Sequence, residues 1–345
     1  MSKAAELAAL IGSQTALSNK NMIINGAFQC WQRSTSVSSQ TGSGYQTTDR
    51  WRTNASGGTY NQSRQTVPLG DSVVGDFKYF LRHEVTTGDN FTGIQQRIED
   101  VQSVPEGTLT LSFYAKGTNP NAGSITIGTN QYFGTGGSPS SNVEVTSAAT
   151  FTVTSSWQRF NFQLTVASIS GKTLGTNDDS YFQIQFTQDG NDTSTDAWTL
   201  DITGVQLEVG QTATPFEHEG YETTIQKCYR YYYKTDLDLG TNSPYLIGSY
   251  AFAVSTTLVW CITDYPVTMR IRPTALEQSG TATDYGVLRC GRSTAVTCST
   301  VPIYTNGTSN RRAVSQFAAS GFTNGVTGFP MNNNTNGTLA WSVEL

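Results

Sequence analysis

Few residues in this chain have the types and spacing needed for covalent or metal chemistry. His83 and His218 are its two histidines. A Ser-His-Asp apparatus needs an imidazole held between a nucleophile and an acid, whereas His83 falls within KYFLRHEV, a strand-like run. Zinc sites draw on clustered His and Cys. The five cysteines, Cys30, Cys228, Cys261, Cys290 and Cys298, are odd in number and contain no CxxC pair. They read as reduced, mostly structural thiols. Glycoside hydrolysis needs no more than two carboxylates, so Asp178, Asp179, Asp189, Asp192 and Asp196 are the enzymatic candidates. Their Gly- and Asn-rich surroundings make solvated loop acids the plainer reading, and their spacing matches no EF-hand loop. No glycine-rich stretch has the GxxxxGK pattern or a helix-opening GxGxxG. The chain is therefore expected to carry no catalytic residue, no metal and no cofactor.

Sugar binding would draw on a different set of residues. A sugar ring offers apolar CH faces and hydroxyls, and is met by aromatic faces beside polar side chains. Tyr45, Trp51, Tyr60, Tyr132 and Phe133 are candidates. Tyr132 and Phe133, next to the breaker-rich loop GTGGSPSSN, form the preferred exposed pair; for Trp51 core packing is the competing reading. The dense run Tyr229, Tyr231, Tyr232 and Tyr233 suits an oligomer interface, because tyrosine offers large contact area with a polar tip. Core packing within one chain is its alternative.

Strands must position these residues. Charged residues make up 14% against a typical ~25%, and aromatics reach 11%, too many for a disordered chain. Net charge is −5 with a pI near 5.1 and no basic stripe, which argues against nucleic acid. No apolar run is long enough to span a membrane, and no secretory leader is evident. From residue 21 to about 216 apolar and polar residues alternate: LTLSFYA (109–115), WQRFNFQLTV (157–166) and YFQIQFT (181–187). The last places Phe182, Ile184 and Phe186 on one face and glutamines on the other, as in an antiparallel sandwich with one wet face. Residues 217–235 read as a short helix passing into a strand, and strands resume over 236–345. At the N-terminus, SKAAELAALI (2–11) has Ser2 as N-cap, Gly12 after its end, and Ala4, Leu7, Ala8 and Ile11 on one face. So short a helix needs something to dock on, which makes Leu7 and Ile11 candidate assembly contacts.

Three strings carry a resemblance to a known family. They are NMIINGAFQCWQR with the following DRW (21–52), GVQLEVGQTATPFE with CYRYYYK (204–234), and YPVTMRIRPT (265–274) with a terminal VEL. Together they resemble phage and prophage tail-fibre-like virion structural proteins with a carbohydrate-binding-like (galactose-binding-like) module. The resemblance implies a jelly-roll β-sandwich (21–216) and a second, β-sandwich-like fibre domain (236–345); with the N-terminal helix and linker (1–20) and the linking helix and strand (217–235) read above, the chain is expected to be all-β. It further implies a homotrimer in the virion, assembled in the host cytoplasm, joined to other virion proteins through its N-terminus and attaching to host surface glycans. A capsid-decorating or head-fibre protein that stabilises the shell, and a tailspike glycan depolymerase, are the alternatives. ATPFE has a plain structural reading, with Pro215 ending the last strand and Phe216 capping the core.

Overall fold

The computed structural model describes residues 20–87, 91–120, 123–188, 197–235, 245–291, 295–333 and 337–345. Leu7 and Ile11, and the loop acids Asp189, Asp192 and Asp196, lie outside them. The described residues are all-β apart from one α-helix and short 3-10 turns, and they divide into two compact units. One runs to Thr224 and includes Leu345; the other is Ile225–Glu344.

The first unit is a jelly-roll sandwich of eleven strands: β1 (Ser36–Gln40), β2 (Trp51–Ser56), β3 (Thr59–Thr66), β4 (Tyr79–Thr87), β5 (Phe91–Glu99), β6 (Gly107–Thr118), β7 (Ile125–Tyr132), β8 (Val143–Phe151), β9 (Gln158–Val166), β10 (Tyr181–Gln188) and β11 (Trp198–Val209). Its six-stranded sheet has the order β1-β3-β4-β11-β6-β9 and its five-stranded sheet the order β2-β5-β10-β7-β8. All pairings are antiparallel. Most connections cross from one sheet to the other; β3–β4 and β7–β8 stay within theirs. This winding separates sequence neighbours and stacks two inner faces on one core.

Alternation decides what fills that core. Phe182, Ile184 and Phe186 of β10 point inward with Trp51 of β2, Leu111 and Phe113 of β6, and Leu200 and Ile202 of β11. Each fully buried side chain of this size contributes roughly 1.5–3 kcal/mol. Phe113 and Phe186 meet edge-on at 5.0 Å, an arrangement that aromatic quadrupoles favour.

The second unit has an eight-stranded sheet around a core that includes Ala251, Cys261, Tyr285 and Phe317. Its three-stranded sheet places Leu339–Ser342 between Tyr232–Lys234 and Glu277–Gln278. The segment 217–235 contains the helix Tyr221–Tyr229 and the strand Tyr232–Lys234.

Candidate functional site

The motif strings of the first unit prove to be structural clasps. Asn25 adopts a left-handed backbone (φ 59°). Its side-chain oxygen accepts from the amides of Gln29 (2.8 Å) and Cys30 (3.0 Å), and its Nδ2 donates to the Cys30 and Asp49 carbonyls and to Thr48 Oγ1. Gly26 is required by close approach: a Cβ there would lie 2.1 Å from the Val205 carbonyl oxygen. The buried Asp49 accepts from the backbone and side chain of Gln32 and pairs with Arg33 at 3.7 Å. Trp51 donates its indole N–H to the Asn25 carbonyl.

The second string is also a clasp. Glu208, 1% exposed, accepts from Thr214 N (2.9 Å) and Oγ1 (2.7 Å) and from Gln206 Nε2 (3.0 Å). The Glu217 amide donates to Gln206 Oε1, and Glu217 Oε2 receives the Asn21 amide. This ties the module's entry to its exit. Phe216 packs edge-on against Phe77 at 5.1 Å, partly buried, as its capping role implies.

The five-stranded sheet carries a groove on its outer face, enclosing about 400 Å³, a size in the range of saccharide and small-ligand sites. Antiparallel register builds its floor. Gln95 of β5 lies between Arg52 of β2 and Gln185 of β10. One row along, Arg97 of β5, Gln183 of β10, Asn130 of β7 and Glu144 of β8 follow one another across four strands. Gly128 faces Gln185 across the β7–β10 pair, and a Cβ there would lie 2.6 Å from Gln185 Nε2. A side chain at 128 would therefore displace the floor.

The floor is polar yet withdrawn from solvent. Gln95 is 1% exposed, and Gln183 and Gln185 are each 5% exposed. Arg97 Nε donates to Gln183 Oε1 (3.2 Å), and Gln183 Nε2 donates to Gln185 Oε1 (3.0 Å). This relay starts at a cation, which polarises the amides behind it. Among the described residues neither end of the Gln95 amide has a partner, and Asn130 Oδ1 has none. Buried polar atoms are nearly always satisfied in folded proteins, so these amides have hydrogen-bonding capacity that no described residue uses. At the groove's end Tyr181 stacks on Tyr132, with centroids 4.6 Å apart, and the Arg97 guanidinium covers Tyr181 at 4.4 Å. Burial raises the Tyr181 phenol above its usual range, with Arg97 opposing the shift. Burial, and then the charge of Arg97, lowers Arg52.

Of the candidates Trp51, Tyr60, Tyr132 and Phe133, the structure leaves Tyr132 beside the groove and removes the other three from it. Phe133 was expected to be exposed with Tyr132; just past the end of β7, it is fully buried with Lys172 over its ring. Trp51 packs in the core at 5.1 Å from Phe28. Tyr60 is buried against His83 and donates its hydroxyl to the Gly42 carbonyl. A sugar reaches none of these rings. The expected interface tyrosines are corrected in part. Tyr231 and Tyr232 are 4% and 3% exposed within the single chain, out of reach of another copy. Tyr233 stacks on Trp341 at 6.2 Å, and Tyr229 meets Tyr233 edge-on. Asp179 is a loop tie, accepting from the Thr135 amide and hydroxyl.

Arg52, Gln95, Arg97, Gln183 and Gln185 were not singled out from sequence. The available signal was the alternation itself: glutamines opposite Phe182, Ile184 and Phe186, and Gln95 and Arg97 flanking the inward Gln96.

No protein-family model matches the chain. No curated protein sequence matches it either. Similar solved structures include the enzymatically active domain of tailspike protein 4 from bacteriophage CBA120, 14% identical over 55% of this chain with a TM-score of 0.32. This chain spans 21% of that structure's length. Others are the CBM22-2 xylan-binding domain of Paenibacillus barcinonensis Xyn10C, 14% identical over 47% of this chain and 92% of that one, TM-score 0.31, and the N-terminal cellulose-binding domain of Cellulomonas fimi β-1,4-glucanase C, 21% identical over 39% and 80%, TM-score 0.28.

Proposed function

We propose that the first unit binds a saccharide in the groove on its five-stranded sheet, and that the chain is a non-enzymatic, fibre-like virion subunit attaching to host surface glycans. The observation that carries the binding reading is the Gln95 amide, 1% exposed and unpartnered at both ends on the floor of that groove. Leaving such a group unsatisfied costs about 1–3 kcal/mol. Sugar hydroxyls both donate and accept, so they can satisfy Gln95 and Asn130 together. The Tyr132–Tyr181 stack provides an aromatic edge at the same place.

Binding without hydrolysis fits the groove's carboxylates. Hydrolysis requires an acid paired with a nucleophile or base, and Glu144 is the one carboxylate among the described lining residues. The virion assignment rests on the sequence strings, and homotrimerisation would multiply weak contacts through effective concentration.

A glycan array tests the binding reading. The intact chain should retain a subset of oligosaccharides, and Gln183→Ala with Tyr181→Ala should abolish retention while the circular-dichroism spectrum stays β-rich. Retention unchanged by this double substitution would place binding elsewhere.

A further inference from the structure

We infer that the groove selects an acidic saccharide, whose carboxylate, phosphate or sulfate sits on the Arg52–Arg97 edge. This rests on the saccharide reading and adds the ligand's charge. Arg52 and Arg97 come from neighbouring strands, two residues apart in register, and line the same groove. Like charges held so close repel, and Arg97 is the largest charged influence lowering Arg52. Such a pair in a half-buried site is favoured by an anion that balances it.

Among the described residues no carboxylate forms a hydrogen bond or ion pair with either guanidinium. Among the described residues Arg52 makes no hydrogen bond or ion pair, and the remaining groups that influence it are phenols, not carboxylates. Arg97 commits Nε to Gln183 and its flat face to Tyr181. Its terminal nitrogens donate to no group among the described residues. Glu144 shares the groove but stands three strands from Arg97 in the same row, roughly 14 Å at ~4.8 Å per strand. The groove is thus cationic at its β2–β5 edge, neutral and amide-lined in the middle, and acidic at β8.

Guanidinium forks match planar and tetrahedral oxyanions. The unpartnered Gln95 lies directly beside Arg52 in register, placed to bond the ring hydroxyls next to the acid. Arg97, already oriented by Gln183 and Tyr181, loses little freedom on binding.

The test measures binding of uronate, phosphorylated and sulfated oligosaccharides, each beside its neutral parent, to the intact chain. One acidic class should bind about tenfold or more tighter than its parent, and that class names the anion. Arg52→Gln should erase the preference while neutral parents stay detectable. Because a substitution can disturb folding, the unmodified chain provides the second reading. Raising ionic strength from about 0.05 to about 0.5 M should weaken the acidic ligand and leave its neutral parent unaffected. Equal binding of acidic and neutral forms, insensitive to salt, overturns this inference and leaves the saccharide reading standing. Binding of none of them overturns both.

Discussion

The two outer faces of the sandwich follow one alternation rule and end differently. On the six-stranded sheet the chain closes its own outer face. Phe80 and Trp157 meet edge-on at 5.1 Å beneath the Lys116 ammonium, and Phe77 joins them with Val67 and Val74. Arg82 and Asp201, opposite each other on β4 and β11 of that face, form a two-pronged pair at 2.7 Å per bond, while the Trp157 indole N–H has no partner among the described residues. On the five-stranded sheet the outward residues are amides and guanidiniums, several unmatched. Both faces withdraw polar groups from water; the six-stranded one pairs its buried charge, whereas the five-stranded one joins Arg97, Gln183 and Gln185 in a relay and leaves Gln95 and Asn130 Oδ1 without partners among the described residues. A face that satisfies itself contributes stability. A face that leaves donors and acceptors open in a concavity holds that capacity for a ligand.

The largest effect is expected on the closed face. Trp157 is 8% exposed and bridges Phe80 and Lys116. Trp157→Ala should cost about 3–4 kcal/mol in a denaturant melt of the first unit, with oligosaccharide affinity unchanged. A loss of affinity of similar size would mean that the two faces are energetically one, and the contrast drawn above would fail.

A smaller effect comes from the sealed core between the faces. His83 is fully buried between the Tyr60 and Trp198 rings; Nδ1 meets Gln62, and Nε2 has no partner. Burial pushes its pKa down from the usual value of 6.5 to about 3. The unfolded chain therefore binds a proton below about pH 6.5 that the folded chain refuses down to about pH 3. The stabilisation is fully present above pH 6.5 and is lost as pH falls through that window, roughly 2 kcal/mol by about pH 5. Unfolding free energies of the intact chain and of His83→Gln, compared between about pH 7 and pH 5, isolate this from the carboxylates. Equal slopes in the two proteins would show that the ring is not sealed, because solvent would be reaching Nε2. Unlike Gln95, His83 has an unpartnered atom that no ligand can reach, so its deficit shows as acid sensitivity rather than as binding.

These contrasts also show what the sequence makes legible. The inward row Phe182, Ile184 and Phe186 and the outward glutamines follow from period-2 alternation alone, as do the all-β class and the wet face. The site did not follow, because a groove is a property of register across strands far apart in sequence. Arg52, Arg97, Gln183 and Glu144 meet only after β2, β5, β10, β7 and β8 pair in an order unlike their chain order. The aromatic candidates failed for a related reason. An aromatic residue in a strand has two faces open to it, and composition does not say which one is buried. Tyr132 ends β7 on the groove side, and Phe133, the next residue, is fully buried beneath Lys172. The family strings, which stand out most in the sequence, locate clasps rather than the site, since Asn25, Asp49, Glu208 and Thr214 hold backbone and side-chain groups of neighbouring loops.

The smallest stability change should come from Gln95, and it bears most directly on function. Gln95→Leu keeps the size of the side chain and removes an amide whose two ends have no partner. Replacing an unsatisfied buried polar group with an apolar one of similar shape is near neutral or stabilising. The melt should therefore move by no more than about 1 kcal/mol, in either direction, while oligosaccharide affinity falls about tenfold or more. Active and binding sites commonly hold function at some expense of stability, and this substitution should move the two quantities apart. If the melt falls as far as for Trp157→Ala, the Gln95 amide is satisfied structurally by water, and the five-stranded face is an ordinary wet sheet. If affinity and stability both stay put, Gln95 is a bystander and the ligand is held by the arginine edge alone.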